Sequence, residues 1–213
     1  MKTVRLAFVA LALLSAARGA EDEGTLLSPE AGEGEWKPLI DTLASKGTVV
    51  ADFTERRYFP FHRGAMVLKG VLRISPGRGL SLQYTQPEPS VLIADSDGLL
   101  LKDREGRTQA MRSGSRQSGA IASLLPIMSF DLPALYPRFA IRAHHAGAGW
   151  RFDFTPREPE VARSLGDISI AGSGSDVSQI EFKHSASTRV EIEVGQTHSG
   201  AALSPGELRE FFR

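Results

Sequence analysis

The sequence predicts a mainly β protein, an incomplete (unclosed) antiparallel β-barrel of about eleven strands with a helical lid. Apolar residues recur at every second position in most runs after Thr48, turn residues separate these runs, and two segments show helical spacing instead. Alternating strands give a sheet with one apolar and one polar face. Because so large a sheet must curl around its apolar face or be covered, we expect a hollow beneath the helices.

The first residues have the pattern of an export signal. Lys2 and Arg5 precede the apolar run Leu6–Leu14, and small residues follow. This order predicts a signal peptide over residues 1–19, cleaved after Ala17 or Gly19, with a buried N-terminal helix as the alternative. The apolar run is shorter than the about 20 residues that a membrane-spanning helix needs.

A flexible leader is expected over 20–35, because this segment is acidic, rich in glycine and poor in large apolar residues. A single β domain is then expected over 36–213. It begins with a short amphipathic helix, since Trp36, Leu39, Ile40 and Leu43 follow helical spacing and Gly47 comes after them.

The strand-like runs continue to the C-terminus with one interruption. Asp97-Gly98 lies between two of these runs and is typical of a tight hairpin. A helical insertion is expected over 115–135, because four large apolar residues there have helical spacing. Ser204-Pro-Gly-Glu207 has the pattern of a capping box at the start of a last helix, which carries a short apolar tail.

Several classes of chemistry find no support. The chain has no cysteine, which excludes thiol catalysis, thiolate metal sites and an acylated cysteine anchor. Its 25 basic and 25 acidic residues form no basic block, so we expect no nucleic-acid partner. The five histidines lack metal-ligand spacing, and no nucleophile motif or phosphate loop is present. We therefore expect a protein that is not an enzyme and that needs no cofactor or metal.

The carboxylates give no clear catalytic pair. Asp153 alternates with two phenylalanines and is expected on the polar, solvated face, whereas Glu158 and Glu160 are expected in an exposed loop. A pair of rim carboxylates, as glycosidases use, is an open alternative that no residue spacing selects.

Four blocks between Val49 and Leu101, about a quarter of the chain, resemble the LolA family of periplasmic outer-membrane lipoprotein carriers. They are Ala51-Asp-Phe-Thr-Glu-Arg56, Lys69-Gly-Val-Leu72, Tyr84-Thr-Gln-Pro-Glu88 and Val91-Leu-Ile-Ala-Asp-Ser-Asp-Gly98. The likeness implies an unclosed barrel whose apolar cavity, plugged by helices, shields acyl chains between the inner and outer membranes. It also implies a monomer in the periplasm of a Gram-negative cell, with an inner-membrane export complex as donor and an outer-membrane acceptor.

The candidate site follows from this likeness together with the alternation of the strands. The expected cavity lining consists of Phe53, Met66, Leu68, Leu72, Leu82, Tyr84, Trp150, Phe152, Phe154, Ile180 and Phe182. The expected lid residues are Ile121, Leu124, Leu125 and Met128. A chaperone for a glycolipid or a pigment-lipid is the alternative within the binding class, and a periplasmic hydrolase is the alternative outside it.

Two departures from the family pattern lie inside the matching blocks. The family has an Arg-Pro pair nine residues before the threonine of Thr-Gln-Pro, and its arginine bonds to the backbone of the lid helix. An ungapped count back from Thr85 reaches Pro76 instead, so Arg78, two residues later, is the candidate lid latch. Phe-Thr-Glu at residues 53–55 replaces the Phe-Thr-Gln of the family.

Overall fold

The computed structural model describes residues 23–112 and 118–213, and the backbone alone for residues 111, 112 and 118–122. The predicted signal peptide, 1–19, lies outside the described residues.

In the described residues, twelve strands form one antiparallel sheet. They are β1 (Thr25–Leu27), β2 (Val49–Tyr58), β3 (Met66–Ser75), β4 (Gly79–Gln86), β5 (Ser90–Asp95), β6 (Gly98–Lys102), β7 (Thr108–Arg112), β8 (Phe139–Ala146), β9 (Gly149–Pro156), β10 (Asp167–Ser173), β11 (Asp176–Lys183) and β12 (Arg189–Ser199). The predicted fold class is confirmed, and eleven of these strands correspond to the alternating runs of the sequence.

The twelfth strand, β1, lies within the segment expected to be a flexible leader. Leu27 pairs with Ile141 of β8 and is 2% exposed. Leu27 therefore ties residues 25–27 to the sheet, because burying its side chain stabilises the pairing by about 1.5–3 kcal/mol.

The sheet is curled but not closed. Its strand order is β1-β8-β9-β10-β11-β12-β2-β3-β4-β5-β6-β7, and among the described residues no pairing joins β7 to β1. Ile180 of β11 and Leu99 of β6 line the same cavity although they are six strand steps apart. In a flat sheet six steps of about 4.8 Å would separate them by about 29 Å, so the apolar face must be concave.

Five α-helices accompany the sheet within the part of the chain that the structure describes: α1 (Lys37–Ala44), α2 (Ser118–Met128), α3 (Leu132–Leu135), α4 (Pro159–Leu165) and α5 (Pro205–Phe211). The first helix and the helical insertion agree with the expected spacing. Ile40 and Leu43 of α1 are buried in the core that lies on the concave face of the sheet. Pro126 within α2 removes one helical hydrogen bond from the expected lid.

Helix α4 corrects the expectation of an exposed loop around Glu158 and Glu160. Glu158 is the residue before the helix and Glu160 lies in its first turn, while Val161 is 2% exposed. A proline at the first turn and Gly166 in a left-handed conformation (φ 68°) begin and end this helix. The concave face is therefore covered by α4 as well as by α1 and α2.

Helix α5 covers part of the outer, convex face, which the sequence predicted to be polar. Its capping box is present, with Ser204 Oγ accepting from the Glu207 amide at 3.2 Å. Phe211 and Phe212 are buried, and the Arg73 guanidinium carbon of β3 lies 3.8 Å from the Phe211 ring centroid. The apolar tail of the sequence therefore packs on the convex face through Arg73.

Candidate functional site

The concave face holds an apolar cavity of about 210 Å³ beneath α2 and α4. Its floor comes from β2–β6 and from β11 and β12, and its cover comes from Leu124, Met128 and Leu165. Sequence analysis expected seven of its lining residues: Leu72, Leu82, Tyr84, Leu124, Met128, Ile180 and Phe182. The structure brings these seven together.

Two further cavities adjoin the first. One, of about 60 Å³, shares Leu72 and Ile180 with it, and the other, of about 320 Å³, extends along α1 past Leu43. Met128 lines all three. This unbranched and flexible side chain is the one lining residue that the three cavities share.

Three of the expected lining residues belong instead to a filled aromatic core under β8–β10. Trp150, Phe152 and Phe154 are almost completely buried, and the Phe130 ring packs edge-on against Trp150 at 6.2 Å and Phe152 at 5.8 Å. Phe130 adopts a left-handed conformation (φ 52°), which turns the chain from α2 into α3 and points its ring into this core. Trp150, Phe152 and Phe154 line none of the three cavities, although Phe130 and Ile170 of β10 form part of the wall of the 60 Å³ cavity.

The remaining expected lining residues lie on the hairpin of β2 and β3. Phe53 is buried and packs edge-on against the Tyr84 ring at 5.5 Å. Gly70 allows this arrangement, because a Cβ there would lie 2.9 Å from Phe53 Cε1. Leu68 is partly buried, whereas Met66 is 48% exposed near the hairpin tip, outside the cavity. Contact of any of these residues with an acyl chain stays a prediction.

The expected lid residues are on α2. Leu124, Leu125 and Met128 are partly buried, and the side chain of Ile121 lies outside the described residues. Arg78 is exposed in the turn between β3 and β4, where it lines the 320 Å³ cavity together with Leu125 and Met128. A latch between Arg78 and α2 stays a prediction.

A polar group of three side chains interrupts the apolar lining of the main cavity. Tyr84 Oη donates to Glu55 Oε2 at 2.8 Å, Arg57 Nε donates to Glu55 Oε1, and Arg57 Nη2 donates to Tyr84 Oη at 3.2 Å. Glu55 is only 3% exposed. Burial, followed by the negative charge of Glu55 and the hydrogen bond to it, raises the pKa of Tyr84, so its phenol stays protonated.

Arg57 remains charged in this setting. Burial alone would lower the pKa of Arg57, but the hydrogen bond to Glu55 and the charge of Glu55 outweigh burial and raise it. The cluster therefore carries one positive and one negative charge and is neutral as a whole. Desolvation of the buried Glu55 carboxylate costs several kcal/mol, whereas the Arg57 side chain is 35% exposed and loses less of its hydration.

A second polar cluster lies on the convex side of β8–β10 and corrects the expectation that Asp153 is simply solvated. Asp153 accepts from Ser169 Oγ at 2.6 Å and from Arg151 Nη2 at 2.8 Å, and His144 Nε2 lies 3.0 Å from it. The serine is bonded to the aspartate rather than to the histidine, so the histidine does not act as a base toward it. This arrangement joins three strands and gives no nucleophile.

Two further observations concern the described part of the chain. No group of three or more histidine or acidic side chains within residues 23–112 and 118–213 is placed to hold a metal ion. In the same residues no helix combines the length and the apolar character that crossing a membrane requires.

The chain is similar in fold to a solved LolA superfamily protein from Nitrosomonas europaea, with 7% identity, a TM-score of 0.43, and coverage of 81% of this chain and 96% of that one. It is also similar to the Pseudomonas aeruginosa MucA/MucB complex structure, with 13% identity, a TM-score of 0.45, and coverage of 80% and 59%. LprF from Mycobacterium bovis gives 12% identity, a TM-score of 0.36, and coverage of 84% and 97%. No family model matches the chain, and neither does any curated protein sequence.

Sequence reasoning missed Glu55 and Arg57 as parts of the site. The signal was present in the alternation of β2, where Phe53, Glu55 and Arg57 are two residues apart and therefore share a face. Two charged residues at the end of an apolar face usually indicate that the strand enters solvent there, so Glu55 and Arg57 gave no sign of a buried polar cluster. Their partner Tyr84 lies 29 residues from Glu55, which local spacing does not reveal.

Proposed function

We propose that this protein is a periplasmic carrier that holds the acyl chains of a lipoprotein or another lipidated molecule in its concave face. The observation that supports the proposal is the apolar cavity covered by α2 and α4, with two further cavities beside it that share Met128 as a lining residue. The resemblance of residues 49–101 to the LolA family favours the same function.

The size of the cavity indicates that loading requires movement of the cover. Ligand pockets commonly hold about 300–1,000 Å³, and the main cavity of about 210 Å³ lies below that range. Joining it to the 320 Å³ cavity along α1 brings the space within the range. The proposed motion is a shift of α2, which the proline at position 126 makes easier by removing a helical hydrogen bond.

The physical need for such a protein is large. Two acyl chains of about 16 carbons exposed to water cost on the order of 25 kcal/mol, at about 0.8 kcal/mol per methylene. Free diffusion of a lipidated molecule through an aqueous compartment is then negligible. Transfer also requires a cover in a shallow equilibrium between open and closed states, so that an acceptor can bind the chains more tightly.

We further propose that the hairpin of β2 and β3 contacts the donor or acceptor. Four of the six exposed large apolar side chains in the described residues are here: Phe59, Phe61, Met66 and Val67. Phe61 is 98% exposed. In the strand register Arg57 lies opposite Met66, so this tip continues from the end of the cavity that holds Arg57. An apolar surface at that place fits the point where a chain enters or leaves.

Native mass spectrometry of the protein purified from its own host tests the carrier function. The expected result is a population with a bound lipid or acylated peptide, lost when α2 carries a charge at Leu124. An empty protein that instead hydrolyses an ester or a glycoside would refute it.

The role of the hairpin is tested separately with Phe61→Ser. We expect unchanged uptake of a fluorescent C16 acyl chain, because Phe61 is outside the cavity, and slower transfer of that chain to acceptor membranes or acceptor protein. The matched control is Leu26→Ser, which removes another exposed apolar side chain, on β1 and outside the hairpin. Equal transfer rates for both variants and the natural protein would contradict the role of the hairpin.

A further inference from the structure

The position of Glu55 and Arg57 in the sheet register is unusual. One register row on the concave face runs across Ala143, Phe152, Ile170, Ile180, Ile192, Glu55 and Leu68. The next row runs across Ile141, Phe154, Ile168, Phe182, Val190, Arg57 and Met66. All other residues in these two rows are apolar. Glu55 and Arg57 therefore occupy positions at which the neighbouring strands carry aliphatic or aromatic side chains.

Stability alone does not explain this pair. Replacing a buried ion pair by apolar residues of similar volume is often neutral or stabilising. Glu55 is fully engaged, since Tyr84 and Arg57 each donate to one of its two carboxylate oxygens. Glu55 and Tyr84 therefore fix the position of the Arg57 guanidinium and hold it against the cavity wall.

Arg57 has hydrogen-bonding capacity left. It donates from Nε to Glu55 and from Nη2 to Tyr84, and within residues 23–112 and 118–213 no acceptor lies on Nη1. Its side chain is 35% exposed, so it reaches the open end of the cavity while its partners are buried. An oxygen of a ligand lying in the cavity could accept from Nη1 without breaking either existing bond.

We infer that Arg57, held by Glu55 and Tyr84, binds the ester or amide carbonyl at the head of an acyl chain whose hydrocarbon lies in the apolar cavity. This inference rests on the carrier function proposed above and names the chemical group that the cavity recognises. A chain attached through an ester or amide is a neutral acceptor. A free fatty acid carries a negative charge instead. Its carboxylate would be repelled by Glu55, because the dielectric constant of the site is low and the charge of Arg57 is already compensated by Glu55.

Three ligands with the same alkyl chain separate these possibilities: methyl dodecanoate, methyl dodecyl ether and dodecanoate. The ether lacks the carbonyl, and dodecanoate adds a negative charge. Each is titrated against the protein by displacement of N-phenyl-1-naphthylamine fluorescence at neutral pH. We expect methyl dodecanoate to bind at least about tenfold more tightly than the ether, which is the value of a hydrogen bond from a charged donor, and more tightly than dodecanoate.

The variant arm uses Glu55→Gln combined with Arg57→Met, because Arg57→Met alone would leave a buried, unpaired carboxylate. Glu55→Gln also restores the glutamine of the LolA family. We expect this double variant to bind the ether as before and to lose the preference for the ester, with thermal unfolding monitored to confirm that it folds. Equal binding of ester and ether by the natural protein, tighter binding of dodecanoate than of the ester, or an ester preference that persists in the double variant would overturn the inference. Failure of all three ligands to bind would overturn the carrier function as well.

Discussion

Leu124→Asp puts a negative charge in the cover of the main cavity. Leu124 lies on α2, is partly buried and lines the cavity together with Met128. The contact of a leucine side chain with a bound chain is worth about 1.5 kcal/mol at the lower end. Covering a carboxylate with hydrocarbon adds several kcal/mol of desolvation. A total of about 4 kcal/mol corresponds to binding that is weaker by about a thousandfold.

The assay is a fluorescence titration with a pyrene-labelled C16 chain, with circular dichroism to show that the sheet is intact. Leu124→Met conserves volume and apolar character, so it should change the affinity by less than about tenfold. Leu26→Asp makes the same chemical change at an exposed leucine of β1, 48% exposed and outside the cavity, and should leave binding unchanged. If Leu124→Asp binds the labelled chain with full affinity, the assignment of α2 as the cover is wrong. If Leu26→Asp loses as much affinity as Leu124→Asp, the effect does not come from the cavity cover.

Two further predictions concern stability. Because the native pKa of Tyr84 is raised by burial first and then by Glu55, its phenol stays protonated in the folded protein while the unfolded phenol ionises near pH 10. Ionisation therefore favours the unfolded state, and Tyr84 should lower the free energy of unfolding by about 1.4 kcal/mol between pH 9 and pH 11. In urea unfolding, the free energy of unfolding of Tyr84→Phe should fall by about 1.4 kcal/mol less between pH 9 and pH 11 than that of the natural protein. An equal decrease in the variant and the natural protein would contradict a buried, protonated phenol. Phe211→Ala removes a buried ring that stacks on Arg73 across the convex face and should cost about 3–5 kcal/mol. Phe61→Ala, at a ring that is 98% exposed, should stay within about 0.5 kcal/mol, and similar unfolding free energies for these two variants would show that α5 does not stabilise the sheet.

The strands were predictable because their physics is local. Alternation identified eleven strands, and Asp97-Gly98 identified the hairpin of β5 and β6, where Gly98 has a φ of 120°. A one-faced apolar sheet of that size has to curl, so the unclosed barrel also followed from the pattern. Strand β1 was missed because three residues in an acidic, glycine-rich segment carry almost no periodic signal.

Helix α4 shows a different kind of limit. Its start and stop signals were present as Pro159, Glu160 and Gly166. Only Val161 and Leu165 are apolar enough to face the sheet, so the segment has no obvious amphipathic pattern. Its helical state depends on packing against the cavity and α2, which is tertiary information.

The division of the concave face into a filled half and a hollow half was likewise beyond the sequence. Trp150, Phe152 and Phe154 alternate as clearly as Leu80, Leu82 and Tyr84, so both groups were equally good candidates for the lining. The difference lies in what covers each group. Phe130 packs directly against Trp150 and Phe152, whereas a cavity lies between α2 and the residues of β4. Periodicity predicts the face of the sheet on which a side chain lies. Whether a cavity forms on that face depends on how closely the helices pack against it.

The central claim, that the concave face shields an acyl chain, is tested most directly by the dependence of affinity on chain length. Methyl esters from eight to sixteen carbons are titrated against the natural protein under one set of conditions. If the hydrocarbon enters the joined cavities, each added methylene should contribute about 0.8 kcal/mol, or about a fourfold tighter dissociation constant, until the space is full. An affinity that does not change with chain length would contradict burial of the chain and the carrier function with it.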